Sequence, residues 1–183
     1  MAGRTAAAIC LSACVFAAPA LAAHWNVDTA RSRLEFSVDW SKQPLTATFK
    51  SWKADIEFDP DDLAHSKAGV TIDIGSEASG EPENDDAIKS AQGMAADKFP
   101  QARFVTTAIR FKGGNTYVAT GTLALHGLTR PVKLPFNLVI AGNTAHMTGV
   151  ATVMRTDFGI GDKSQDPVAL PVTVNVDLWA TRQ

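Results

Sequence analysis

Few residues of this chain have the type and spacing that chemistry requires. No two histidines lie at a spacing that would place two metal ligands on one face of a helix or strand; the four are His24, His65, His126 and His146. The chain also lacks the G-x-S-x-G, H-E-x-x-H, P-loop and G-x-G-x-x-G motifs. Its acidic residues are scattered over polar stretches that are typical of solvated loops. We therefore expect no catalytic residues, no metal site and no cofactor.

The N-terminal segment has the features of a secretory signal peptide. An alanine-rich apolar stretch covers residues 6–18, and Ala20-Leu21-Ala22 matches the small-x-small rule for cleavage. These features predict a signal peptide over residues 1–22, a single mature domain over 23–183, and a periplasmic location.

The two cysteines of the chain, Cys10 and Cys14, both lie inside this segment. The mature chain therefore has no thiol for a disulfide or a thiolate metal site. Two alternatives stay open. Leu11-Ser12-Ala13-Cys14 resembles a lipoprotein cleavage box that would leave a lipidated Cys14. Cleavage after Ala23 would make His24 the N-terminal residue, whose amine and imidazole can chelate copper.

Composition excludes several classes of protein. The 183 residues carry 17 Lys+Arg against 19 Asp+Glu, a formal net charge of −2. This balance argues against a nucleic-acid partner, because such a surface must neutralise many phosphates. A hydrophobic content of 45% is typical of a globular protein. Outside the N-terminal segment, no apolar stretch is long enough for a membrane-spanning helix.

The body of the chain alternates apolar and polar residues with a period of two. Leu34, Phe36 and Val38 share one face of such a run, and comparable runs continue to the C-terminus. Gly113-Gly114-Asn115 and Gly142-Asn143 are typical of tight turns between paired strands.

These patterns predict an all-β fold of eight or nine antiparallel strands, with a short helix over residues 85–93 in one connection. Closure into a barrel of about eight strands would remove the exposed sheet edges, while a sandwich is the alternative.

A barrel of this size is either filled by side chains or holds one small ligand. Composition leaves both options open, because the inward candidates mix bulky aromatic residues with alanine and glycine. If the barrel is hollow, the alternation predicts ligand-binding walls from Phe36, Val38, Phe49, Trp52, Ile56, Phe104, Leu123, Leu125, Leu134, Phe136, Phe158, Val174 and Trp179.

Six segments together resemble one protein family. They are WNVD at 25–28, SRLEFSV at 32–38, ADIEFDP at 54–60, KFPQARF at 98–104, GTLALHGLTRPV at 121–132 and RTDFGIG at 155–161. The chain is similar to the YceI-like family of periplasmic polyisoprenoid-binding proteins over about residues 24–181. It departs from the family pattern at Arg31 and Trp40, where histidine is common, and at residues 84–87 and 92–94.

The resemblance implies a lipocalin-like barrel that binds, sequesters or transports a polyisoprenoid or another long-chain lipid without catalysis. The departures imply a different preference at the ligand's polar end. With these departures, the chain is also similar to the form of the domain that is found beside cytochrome b561-type membrane proteins. The alternative function is therefore an accessory domain with a filled barrel that docks on such a redox partner. A homodimer and a transient membrane contact are compatible with either function.

Overall fold

The computed structural model describes residues 22–161 and 167–183. The predicted signal peptide, apart from Ala22, and the lipoprotein-like Cys14 lie outside the described residues. Within the described residues, no helix combines the length and the apolar character needed to cross a membrane.

The described chain forms eleven strands, one short α-helix and two 3-10 turns. The strands are β1 (Ala23–Val27), β2 (Arg33–Trp40), β3 (Gln43–Phe49), β4 (Trp52–Phe58), β5 (Lys67–Asp73), β6 (Glu77–Ala78), β7 (Gln101–Gly113), β8 (Thr116–Leu125), β9 (Leu128–Ala141), β10 (Thr144–Met154) and β11 (Pro171–Arg182). The helix α1 is Pro82–Lys89, and the 3-10 turns are Ile74–Ser76 and Arg155–Phe158.

These strands close into an antiparallel barrel of eight strands, three of which are composite. β1 and β2 both pair with β11 along one edge. Along the other edge, β1 pairs with β4 and β2 pairs with β3. β5 and β6 in turn pair with β4 and β3. The remaining strands β7 to β11 pair in sequence order. The predicted all-β barrel of about eight strands is therefore confirmed, and the sandwich is excluded.

The interruption between β1 and β2 has a local cause in the sequence. The side chain of Asp28 accepts hydrogen bonds from the backbone N–H groups of Ala30 and Arg31, which folds residues 28–32 into a turn. The Ser32 hydroxyl donates to the Asp28 carbonyl at 2.7 Å and accepts from the Trp179 N–H at 2.9 Å. This turn is thereby fixed to β11 before pairing resumes.

The helix lies in the expected connection but not at the expected residues. It spans Pro82–Lys89 instead of 85–93. Pro82 fits the first helical position, where the missing N–H has no intrahelical partner to lose. After Lys89 the chain turns back tightly, and a Cβ at Gly93 would collide with the carbonyls of Ala87 and Ile88. Gly93, which was predicted to be the last residue of the helix, therefore belongs to the turn that follows it.

Two apolar clusters line the two halves of the barrel. One contains Trp25, Phe58 and Leu178, and the other contains Phe36, Phe49 and Ile74. They meet at Trp52 and Val176, which pack against both clusters. Gly121 belongs to this packing, since a Cβ there would lie 2.7 Å from the Phe104 ring. Large and small residues thus share the interior, as the composition suggested.

Candidate ligand-binding cavity

The barrel interior is hollow. It encloses a cavity of about 590 Å³, and each of the eight barrel strands contributes to the wall. This volume lies within the ~300–1,000 Å³ that small-molecule sites usually occupy. The filled barrel that the sequence left open is therefore excluded.

Twelve of the thirteen predicted wall residues line this cavity. They are Phe36, Val38, Phe49, Trp52, Ile56, Phe104, Leu123, Leu125, Leu134, Phe136, Phe158 and Val174. Eleven of them lie on strands whose period-two alternation turns them inward, and Phe158 enters from the 3-10 turn after β10. Their contact with a ligand stays a prediction.

The assignment of Trp179 to the wall is wrong. Leu178 and Ala180 line the cavity, so the alternation of β11 turns Trp179 to the outside of the barrel. There its ring stacks on His146 with centroids 3.9 Å apart, and the Arg31 guanidinium lies 4.1 Å from its centroid. The prediction counted the alternation of β11 incorrectly, because the inward-facing valines before Trp179 place the even-numbered residues of this strand on the cavity side.

Several wall residues were missed, for two different reasons. Leu34 and Trp40 line the cavity and share a face with Phe36, so strict alternation would have found them. Ile88 and Met94 also line it, but they come from α1 and the turn after it. No periodic pattern indicates where such a connection packs.

One end of the cavity, the Trp25 end, is closed by apolar packing. Trp25 is 2% exposed, and its indole N–H donates to the Phe58 carbonyl at 2.9 Å. Phe58 meets Tyr117 edge to face, and Tyr117 stacks on Phe136 with centroids 5.4 Å apart. These contacts satisfy the one polar atom of the Trp25 ring and leave an apolar floor.

The other end, the α1 end, is formed by the helix and the turn that follows it. Ala87 and Ile88 of the helix line the cavity, followed by Ser90, Gln92 and Met94 of the turn. The helix itself has no buried residue and no side-chain hydrogen bond at its N-cap. This end is therefore held less tightly than the floor.

Polar side chains on the described wall are few, and three of them, Ser90, Thr106 and Arg155, are already engaged, Ser90 by donating to the Ala87 carbonyl at 2.8 Å. The Thr106 hydroxyl accepts from the Ala68 N–H at 2.8 Å. Arg155 is 5% exposed and donates to the carbonyls of Ile160, Val168 and Ala169 at 2.7–3.0 Å. Such a wall suits an apolar chain, because it offers few groups that a polar ligand could satisfy.

Two carboxyl groups near α1 have shifted pKa values. The pKa of Glu77 is raised to about 7, chiefly by burial and to a lesser extent by the nearby Asp85 carboxylate, while Lys89 opposes the shift. Hydrogen bonds from the hydroxyl and the backbone N–H of Ser79 lower the pKa of Asp85.

Among the described residues, no three His, Cys, Asp or Glu side chains gather where a metal ion could bind. His24, the residue of the copper alternative, lies on β1 with its Nδ1 3.6 Å from Asp55 Oδ1. The absence of a bound metal stays a prediction.

Comparisons with known proteins agree with this architecture. Residues 25–180 match the model of the YceI-like domain. A UPF0312 protein of Pseudomonas putida strain W619 is 32% identical over 187 residues, covering 96% of this chain and 94% of its own length. A UPF0312 protein of Serratia proteamaculans is 33% identical and covers 90% of each chain.

Two solved structures share the fold. BcnA of Burkholderia cenocepacia is 32% identical, with a TM-score of 0.81 over 85% of this chain and all of its own. A domain of Saccharophagus degradans described as polyisoprenoid-binding has a TM-score of 0.70 at 15% identity, over 90% of this chain and all of its own.

Proposed function

Because the chain belongs to the YceI-like family, we propose that its cavity binds a polyisoprenoid or another long-chain lipid without changing it chemically. The observation that carries this proposal is the hollow barrel of about 590 Å³ with an almost wholly apolar wall. The related fold of the Saccharophagus degradans domain, which is described as polyisoprenoid-binding, supports the same ligand class.

The shape of the cavity also favours a chain over a compact ligand. Alternate residues of β11 from Val172 to Ala180 line it. At a rise of ~3.3 Å per residue, those eight steps span roughly 26 Å along the strand. With a strand tilt of ~40°, the lined length along the barrel axis is roughly 20 Å. A cavity of this length suits an extended chain.

Burial of the chain supplies the affinity. Each CH₂ group moved out of water contributes about 0.8 kcal/mol. Two five-carbon units therefore contribute roughly 8 kcal/mol before the costs of association, a range that permits micromolar binding. No charged group is needed for this.

The polar end of the ligand belongs at the α1 end of the cavity. Gln92 lies there beside Ser90, whose hydroxyl is already bonded to the Ala87 carbonyl and the Gly93 N–H, whereas the Trp25 end presents apolar side chains. Trp40, Gln92 and Met94 differ from the family pattern, and all three line the cavity. We therefore propose that this protein prefers a different head group from relatives that keep the usual residues.

The predicted signal peptide supports a role in sequestering or carrying the lipid through the periplasm. The alternative function, an accessory domain that docks on a cytochrome b561-type partner, assumes a filled barrel. No observation of the described residues favours it.

Native mass spectrometry of protein isolated from the periplasm tests the function. We expect an added mass that organic solvent removes and that tandem fragmentation identifies as an isoprenoid or acyl lipid. A protein that carries no lipid and takes up none from an extract of its own membranes would contradict the proposal.

A further inference from the structure

Glu77 is a buried carboxyl group that lacks a hydrogen-bond partner. Its side chain is 0% exposed, and within the described residues neither carboxyl oxygen finds a donor. It pairs with Phe49 across β6 and β3, so both side chains lie on the same face of the sheet. Since Phe49 lines the cavity, Glu77 lies directly beside the cavity wall at the α1 end.

The charged groups that face Glu77 come from α1. Lys89 Nζ is 3.9 Å from Glu77 Oε2, which is too far for a hydrogen bond. Asp85, one helical turn before Lys89, adds a repulsive charge to Glu77. β3 contributes only the uncharged Thr48 and Phe49 to its pairing with β6. An ionised Glu77 would therefore be a buried charge with one counter-ion at ion-pair distance and no hydrogen bond to either oxygen among the described residues.

The helix that lies against Glu77 also forms part of the cavity wall at the α1 end. Ala87 and Ile88 of α1 line the cavity, while Lys89 lies beside Glu77. A shift of α1 that admits water to Glu77 would therefore open the α1 end of the cavity. The helix is short and has no buried residue. Its first turn is fixed by the hydroxyl and the backbone N–H of Ser79, which donate to Asp85 Oδ1 at 2.6 and 2.7 Å.

We propose that Glu77 is a positioning residue that makes ligand retention depend on pH. Protonated Glu77 allows α1 to close over the cavity, whereas ionised Glu77 favours an open position in which water solvates the carboxylate. This inference rests on the proposed lipid-binding function, for which α1 would control entry and release.

The direction and size of the effect follow from proton linkage. Burial raises the pKa of Glu77 from 4.5 to about 7 in the closed form. Closure is therefore fully favoured below the ordinary pKa and is weakened as the pH rises through 7. If solvation restores the ordinary pKa in the open form, the ratio of open to closed protein rises roughly tenfold between pH 6 and pH 8.

Release of a neutral probe tests this inference. Purified protein is loaded with farnesol, a fifteen-carbon isoprenoid alcohol, and its dissociation rate is followed by tryptophan fluorescence from pH 5.5 to pH 8.5. We expect the wild-type rate to rise about tenfold between pH 6 and pH 8. Glu77→Gln should release slowly at every pH, because its side chain cannot ionise. Glu83→Gln, an exposed change on the same helix, should keep the wild-type profile.

A second variant distinguishes the proposed role from a merely structural one. Lys89→Met removes the cation that favours ionised Glu77, so the midpoint of the release profile should move to higher pH. A flat wild-type profile, or a Glu77→Gln profile as steep as the wild type, would overturn the inference while leaving lipid binding intact. Failure to bind farnesol at any pH, together with failure to take up any lipid from a membrane extract, would overturn both.

Discussion

The two ends of the barrel are built from different interactions. At the Trp25 end, aromatic rings pack on one another, and the one indole N–H among them is satisfied by the Phe58 carbonyl. At the α1 end, an eight-residue helix without a buried residue covers Glu77, which has no hydrogen-bond partner in the described chain.

This difference separates stability from access. Apolar packing at the Trp25 end stabilises the barrel without depending on pH, since no group there must change its charge. At the α1 end, the buried carboxyl group lowers the local stability, and low local stability is typical of elements that open to admit a ligand. The following substitutions test that division, from the largest expected effect to the smallest.

Trp25→Ala should be the most destabilising change. It removes a large buried ring from the floor and leaves the Phe58 carbonyl without its donor, so we expect a loss of about 3–5 kcal/mol in the free energy of unfolding. Trp179→Ala, on the outer face, should cost only about 1 kcal/mol. Urea denaturation of both variants checks the comparison, and equal losses would mean that Trp25 does not anchor the floor.

Arg155→Met should be nearly as damaging. The buried guanidinium donates to three backbone carbonyls beyond β10, and methionine would leave them unsatisfied at a cost of about 3 kcal/mol. Arg155→Lys should recover only part of this loss, since an ammonium group cannot reproduce the planar fork of donors. Thermal unfolding of the two variants measures the difference. An unchanged melting temperature in Arg155→Met would show that these bonds are not needed.

The free energy of unfolding should also show the effect of Glu77. Because its folded-state pKa is raised to about 7, its contribution is present below pH 4.5 and is lost as the pH rises through 7. Between pH 6 and pH 8 this amounts to about 1 kcal/mol in the wild type. Denaturant titrations at the two pH values should give a smaller difference for Glu77→Gln. A difference that stays the same would assign the pH dependence to other groups.

Phe136→Leu should weaken ligand binding by a smaller amount. The substitution removes apolar contact from the wall that is equivalent to about one CH₂ group, and the loss of that contact lowers the affinity about fourfold. The control is Asn137→Ala on the outer face, where the amide oxygen accepts from the Thr116 hydroxyl at 3.1 Å. Farnesol titrations of both variants test this prediction, which fails if the outer substitution has the larger effect.

Alternation predicted the barrel because each strand has one buried and one solvated face. Leu34, Phe36 and Val38 are all buried, as their shared face required. The same rule would have excluded Trp179, whose neighbours Leu178 and Ala180 line the cavity. The error lay in placing an odd-numbered residue of β11 on the face that its even-numbered valines occupy.

The α1 end could not be predicted in the same way. Its wall residues Ile88 and Met94 follow no strand period, and their positions depend on a tight turn at Gly93. The burial of Glu77 depends on the long-range pairing of β6 with β3. A two-residue strand carries too little pattern for its partner to be predicted from the sequence.

The central claim, that the barrel binds a long apolar chain, is tested most directly by a series of isoprenoid alcohols of increasing length. Trp25, Trp40 and Trp52 line the cavity, so their fluorescence reports binding, and a Trp179→Phe background removes the outer signal. We predict that affinity rises tenfold or more with each five-carbon unit and stops rising once the chain fills the cavity. Weak millimolar binding that does not change with chain length would contradict the claim.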